Sequence, residues 1–160
     1  MKFNVMIVGD SKSVLEFMQW LFIDEPYYLF TFDNPLDALK VIKLLEWAVV
    51  VADQSMPKMG GLEFLKRVRA DSPHTMGIIM TNDNEIIEEL DTSHSECVYR
   101  VVRKPLKKNE IKQAVKMAIE VEEIAKITYL SMLKGKPIIL TNEQINQTLG
   151  LYQNIYGQKS

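Results

Sequence analysis

The chain has 160 residues, enough for one domain with a good core and a short appendix. It is 47% hydrophobic and 25% charged, and its formal net charge of -2 gives no support to a general nucleic-acid surface. One cysteine, Cys97, excludes an internal disulfide, and no apolar run approaches the length of a membrane span. No stretch reads as a secretory signal, so the expected location is the cytoplasm.

Taken in order, Phe3 to Val8 predicts a first strand, ending at Gly9-Asp10-Ser11. Ser11 or Ser13 is placed to cap a helix carrying Val14, Leu15, Phe17, Met18, Leu21 and Phe22. Tyr27 to Phe32 predicts a second strand. Asn34-Pro35 starts a helix, with Pro in the first turn where its missing donor costs nothing. Leu36, Leu39, Val41, Ile42 and Leu45 are its expected buried side. Ala48 to Ala52 is an unbroken apolar run, as expected of a central strand covered on both faces. It stops at Asp53, and Gly60-Gly61 closes the following loop before a helix over roughly Leu62 to Ala70. Thr75 to Thr81 predicts a fourth strand, with a short helix through Ile86, Ile87 and Leu90. Cys97 to Val102 predicts a fifth strand, ending in Arg103-Lys104-Pro105. A long helix begins near Lys108 or Asn109, with an apolar series through Ile111, Val115, Ala118, Val121, Ile124, Ala125 and Met132.

Five βα units of this length fit an open, doubly wound, five-stranded parallel sheet, a (βα)5 flavodoxin-like fold, with an extended C-terminal helix. A closed barrel of eight units needs a longer chain. Gly135 and Pro137 interrupt the last helix. Thr141 is then placed to cap a further amphipathic segment with Ile145, Leu149, Tyr152 and Ile155. The expected organisation is a sheet domain over 1–125 and a helical extension over 126–160, either a dimerisation element or a link to an output domain absent from this chain.

In a parallel sheet the carboxyl ends of the strands open on one edge, where ligands bind. Strand one brings Asp10 there, strand three Asp53, strand four Thr81 and strand five Lys104. Two carboxylates with loop carbonyls suit a hard divalent ion such as magnesium. A lysine neutralises phosphate oxygens as a point charge, and a threonine hydroxyl donates to one of them. A carboxylate is itself a nucleophile towards phosphorus. By itself Asp53 also reads as a loop acid that caps a turn. His74 and His94 have no metal-ligand spacing and read as surface residues. Cys97 reads as core, and Lys104, Lys107, Lys108 and Lys112 as a solvated basic cluster. Trp20 and Trp47 read as core or interface anchors.

MIVGD at 6–10, VVVADQSMPKMGG at 49–61, IIMT at 78–81 and RKP at 103–105 together resemble the response-regulator receiver domain of two-component signalling. The resemblance covers about residues 3–125. It implies a phosphoryl acceptor at Asp53 and magnesium held by Asp10, Asp53 and the Ser55 carbonyl. It also implies phosphate contacts from Thr81 and Lys104. The implied donor is a phosphohistidine on a sensor histidine kinase or a histidine phosphotransfer protein. Four positions depart from the family pattern. Gly9 stands where a second acid is usual. Asn82 replaces a small residue. Val101 occupies the place of a switch aromatic, with Tyr99 two residues earlier on the same strand face by parity, and the interval from Thr81 to Lys104 is stretched.

The leading expectation is a phosphorylation-dependent response regulator that signals by conformational change and at most slowly dephosphorylates itself. A receiver-like interaction scaffold that works without phosphate is the alternative, motivated by Gly9 and Val101. A small phosphatase using Asp53 as a turnover nucleophile is a weaker one, because Ser55 stands where an acid–base partner would be needed. No direct nucleic-acid binding and no membrane insertion are expected. A symmetric homodimer through the extended helix is favoured over a tail that folds back.

Overall fold

The computed structural model describes residues 2–92 and 96–135. Ten elements alternate along the chain: β1 (Phe3–Val8), α1 (Lys12–Leu21), β2 (Tyr27–Phe32), α2 (Pro35–Val41), β3 (Val49–Asp53), α3 (Gly61–Asp71), β4 (Met76–Thr81), α4 (Asn84–Thr92), β5 (Arg100–Arg103) and α5 (Lys108–Leu133). The strands form one parallel sheet in the order β2-β1-β3-β4-β5. This is the expected (βα)5 flavodoxin-like architecture. The chain divides into two units, Met1–Ile119 and Glu120–Ser160.

Strand parity sorts the first unit's core into two layers. Val5, Ile7, Val49, Val51, Ile78, Met80 and Val102 face α1 and the first part of α5, against Leu15, Met18, Ile111 and Val115. Met6, Val8, Val50, Ala52 and Ile79 face the other way, against Ala38, Phe64, Leu65 and Val68 of α2 and α3. β3 lies at the centre and is buried along its whole length, which explains its uninterrupted apolar run.

The starts of the helices follow local chemistry. Asn34 caps α2, its Oδ1 accepting the Leu36 N–H at 2.9 Å, with Pro35 in the first turn. Ser11 is the N-cap residue of α1, but its hydroxyl makes no capping bond and lies 3.1 Å from the Ser13 hydroxyl.

Three expectations need correction. The fifth strand begins at Arg100 rather than Cys97. Cys97 instead crosses β4 at Gly77, where a Cβ would sit 2.3 Å from the Cys97 carbonyl oxygen. Tyr99 therefore lies ahead of β5, and the parity that paired it with Val101 does not apply. It packs against the layer containing Val102, Ile78 and Met80. Secondly, α2 ends at Val41, so its buried positions are Pro35, Ala38 and the following Ile42, while Leu36 and Leu45 are exposed. Thirdly, the fourth strand begins at Met76 rather than Thr75. Trp20 is exposed beneath the Lys108 ammonium, 4.5 Å from its ring centroid, and Trp47 is buried edge-on to Phe30.

In α5, Ile111, Val115 and Ala118 are buried as expected, and Ala125 is exposed. Within the second unit Lys126 Nζ lies 2.9 Å from Glu122 Oε1, and Ile127, Leu130 and Leu133 are more than half exposed. The expected segment from Thr141 to Ile155, the side chain of Met132 and His94 fall outside the described residues. Among the described residues no helix is long and apolar enough to cross a membrane.

Candidate functional site

The strand register brings the candidate residues to one edge. Val8 is level with Ala52, Asp53 with Met80, and Thr81 with Arg103. Gly9, Asp53, Thr81 and Lys104 thus follow one another across four adjacent strand ends. The reversal of strand order falls between β1 and β3, the crevice where such sheets bind ligands.

Asp53 is 1% exposed, and among the described residues its carboxylate has two partners. Lys104 Nζ lies 2.5 Å from its Oδ2. The Ser55 N–H donates to its Oδ1 at 3.0 Å. Its neighbour Gln54 donates its own N–H to the Met80 carbonyl at 2.9 Å, tying the strand end to β4. A buried carboxylate needs such partners, because removing a charge from water costs several kcal/mol, on the order of what pairing returns. Lys104 is positioned by its own N–H, which donates to the Thr81 carbonyl at 3.0 Å. Its peptide bond to Pro105 is cis.

Thr81 is buried, and its hydroxyl oxygen accepts the Asp83 N–H at 3.0 Å. The hydroxyl hydrogen is left to donate elsewhere. Asp83 in turn caps α4, its Oδ1 accepting the Glu85 N–H at 2.9 Å. Arg103 reaches the same turn, donating to Asn84 Oδ1 at 3.1 Å. Asp10 and Asn82 are exposed at the rim, and Val101 is half-buried. Lys104 also lines an open groove of about 300 Å³ with Ser13, Val14, Phe17, Pro105 and Leu106.

Gly9 sits directly against Asp53. A Cβ there would be 3.5 Å from Asp53 Cβ and 3.9 Å from its Oδ2, ordinary contact distances. The strand end therefore has room for a Cβ at Gly9. Among the described residues no group of three or more His, Cys, Asp or Glu converges. The donors expected for an ion here, the carboxylates of Asp10 and Asp53 and the Ser55 carbonyl, are all oxygen. Two lone-pair directions of Asp53 are already used by Ser55 and Lys104, and a carboxylate has about four. That set fits a magnesium ion that keeps several waters better than a dedicated protein cage.

Residues 5–116 match the response regulator receiver domain family. The chain belongs to that family. Among curated receiver-containing relatives, it is 29% identical over 113 residues to sporulation initiation phosphotransferase F of Bacillus subtilis, covering 71% of this chain and 90% of that protein. It is 24% identical over 155 residues to the hydrogenase transcriptional regulatory protein HoxA of Bradyrhizobium diazoefficiens, covering 97% of this chain and 31% of that regulator. The chain thus spans under a third of the larger regulator's length. Solved structures share its fold. A response regulator receiver domain protein from Clostridium thermocellum superposes with a TM-score of 0.69 at 20% identity, over 77% of this chain and 98% of that one. A chain described as adenylate cyclase from Rhodopirellula baltica gives 0.76 at 22% identity, over 84% and 98%.

Three features of this receiver site were not legible in its sequence. The Ser55 N–H serves Asp53, beside the carbonyl role expected of that residue. Asp83 links the Thr81 hydroxyl to α4. Gln54 bonds the first turn of α3. Each involves a backbone N–H whose partner is set by loop conformation, which residue types alone leave open.

Proposed function

We propose that this receiver accepts a phosphoryl group on Asp53 from a phosphohistidine of a sensor histidine kinase or histidine phosphotransfer protein. The modified acid then shifts a two-state balance in the surrounding loops. The observation that supports this best is the buried Asp53 carboxylate held by Lys104 Nζ at the strand switch point. In the transfer, a carboxylate oxygen of Asp53 forms the new bond to phosphorus, the bond from phosphorus to the donor imidazole nitrogen breaks, and that nitrogen retains the electron pair. Lys104 exchanges its contact with Asp53 for one with a phosphoryl oxygen. The Thr81 hydroxyl, its oxygen already occupied by the Asp83 N–H, donates its hydrogen to another. Asp10, Asp53 and the Ser55 carbonyl would hold magnesium, which supplies neutralisation of phosphoryl charge when bound. Hydrolysis of the acyl phosphate is slow, since Ser55 offers no acid–base group.

The receiver unit in this reading spans residues 1–125, with a helical extension over 126–160 that pairs two chains. Acetyl phosphate with magnesium, followed by intact mass, tests the acceptor. One phosphoryl group should add to the wild type, be lost in base, and be absent from Asp53→Asn. Equal labelling of Asp53→Asn would sink the assignment, and no labelling of the wild type would favour a scaffold that works without phosphate.

A further inference from the structure

α3 starts without a side-chain cap of its own. Its N-cap residue is Gly60, which has no side chain to accept the free N–H groups of the first turn. The Leu62 N–H in that turn is bonded instead by Gln54 Oε1, at 2.8 Å and from eight residues earlier. The main-chain oxygen of Gln54 accepts the Gly61 N–H at 3.3 Å, and its N–H donates to Met80 O at 2.9 Å. One residue joins the ends of β3 and β4 to the first turn of α3. It is also the residue that links Asp53 to Ser55.

We infer that Gln54 is a positioning residue of the acceptor site, its side-chain amide capping α3 and thereby setting the orientation of the Asp53 carboxylate and the Ser55 carbonyl. This rests on the reading of Asp53 as acceptor. Two close approaches support it. The start of α3 lies directly on Asp53, where a Cβ on Gly61 would come 2.6 Å from the Asp53 carbonyl oxygen. Movement of that turn therefore transmits to the acceptor's own peptide group. The Gln54 amide lies close against the N-cap as well, since a Cβ added at Gly60 would come 3.2 Å from its Nε2. Residues 55–59 form a loop whose base is clamped by Gln54. Without the Oε1 bond, the Leu62 N–H is orphaned and the clamp is reduced to the 3.3 Å bond of Gly61.

Gln54→Leu removes the acceptor at similar size, whereas Gln54→Glu keeps it. Gly60→Ala presses on the amide from the other side, and the backbone there, at φ -69°, accepts alanine. Each full-length variant is studied well below its melting temperature. The readouts are hydrogen exchange at the Leu62 amide, the carboxyl-carbon NMR resonance of Asp53, magnesium affinity by calorimetry, and the rate of labelling by acetyl phosphate. Gln54→Leu should lose protection at Leu62, shift the Asp53 resonance, and weaken magnesium binding and labelling by roughly fivefold, the factor that loss of one capping bond corresponds to. Gln54→Glu should restore the Leu62 protection and the Asp53 resonance, and Gly60→Ala should fall between. If Gln54→Leu loses only Leu62 protection and thermal stability, with the Asp53 resonance, magnesium affinity and labelling rate unchanged, Gln54 is a plain helix cap and the inference is overturned. A wild type that takes no label defeats the acceptor reading instead. The Asp53 resonance in the metal-free protein still decides the role of Gln54 in that case.

Discussion

At the residue scale the site is defined by a missing side chain as much as by those present. Gly9 contributes no carboxylate, yet its Cα–H points where a Cβ would meet Asp53 at ordinary contact distance. Gly9→Asp should therefore be accommodated and should tighten magnesium by adding negative charge close to the ion. Asp10→Asn should weaken it, and more than Asp83→Asn, whose side chain is committed to α4. Calorimetric titration of the three variants measures the order directly; no gain from Gly9→Asp would show that the added group is turned from the ion or offset by strain. Lys58, in the loop after Asp53, is a non-glycine residue at φ 71°. Side chains with a Cβ meet the following carbonyl there, at a cost of about 1 kcal/mol. Lys58→Gly should raise the unfolding free energy by a few tenths to about 1 kcal/mol, because relief of that clash exceeds the added chain entropy. Urea unfolding checks it, and a loss of stability would mean that Lys58 makes compensating contacts.

Among the elements, β4 is the one whose neighbours leave least room. Gly77 lies mid-strand, where a Cβ would be 2.3 Å from the Cys97 carbonyl oxygen and 2.9 Å from Leu65 Cδ1. One of these is backbone, so the site cannot adjust by a rotamer change. Gly77→Ala should cost roughly 1–3 kcal/mol or more, as overpacking of a dense core does. Chemical denaturation of the variant tests this, and a stability within error of wild type would contradict the crossing of Cys97 over β4. The same crossing explains why the fifth strand is shorter than its apolar run. Cys97 and Val98 pack against the layer beneath α3, and Tyr99 joins the opposite one, so the three residues bend rather than alternate. α4 depends on a short polar chain, from the Thr81 hydroxyl through Asp83 to the N–H of Glu85.

At the scale of the whole molecule, α5 exceeds what one sheet face requires. Three to four turns cover a sheet of this size, whereas α5 runs for 26 residues. Its later part exposes Ile127 at 51%, Leu130 at 54% and Leu133 at 66%. Apolar surface of that kind marks an interface. The full chain should sediment as a dimer at micromolar concentration, and Leu130→Glu should shift it towards monomer. A wild type that stays monomeric at high micromolar concentration, with and without acetyl phosphate, would rule out pairing through this helix.

What the sequence alone determined was the set of elements, the burial of the central strand and the four residues at the strand ends. Each is written in local chemistry: a buried run at Val49–Ala52, Asn34-Pro35 at a helix start, and an acid, a threonine and a lysine where strands stop. Hydrophobic period and capping act over a few residues, so they survive without knowledge of neighbours. Only the tertiary structure decided which main-chain groups serve Asp53, that Gln54 caps a helix eight residues away, and that the Cys97 carbonyl leaves no space for a side chain at Gly77. Those features depend on distances between segments set by packing, and a side chain's type does not record which foreign backbone will lie within 3 Å of it.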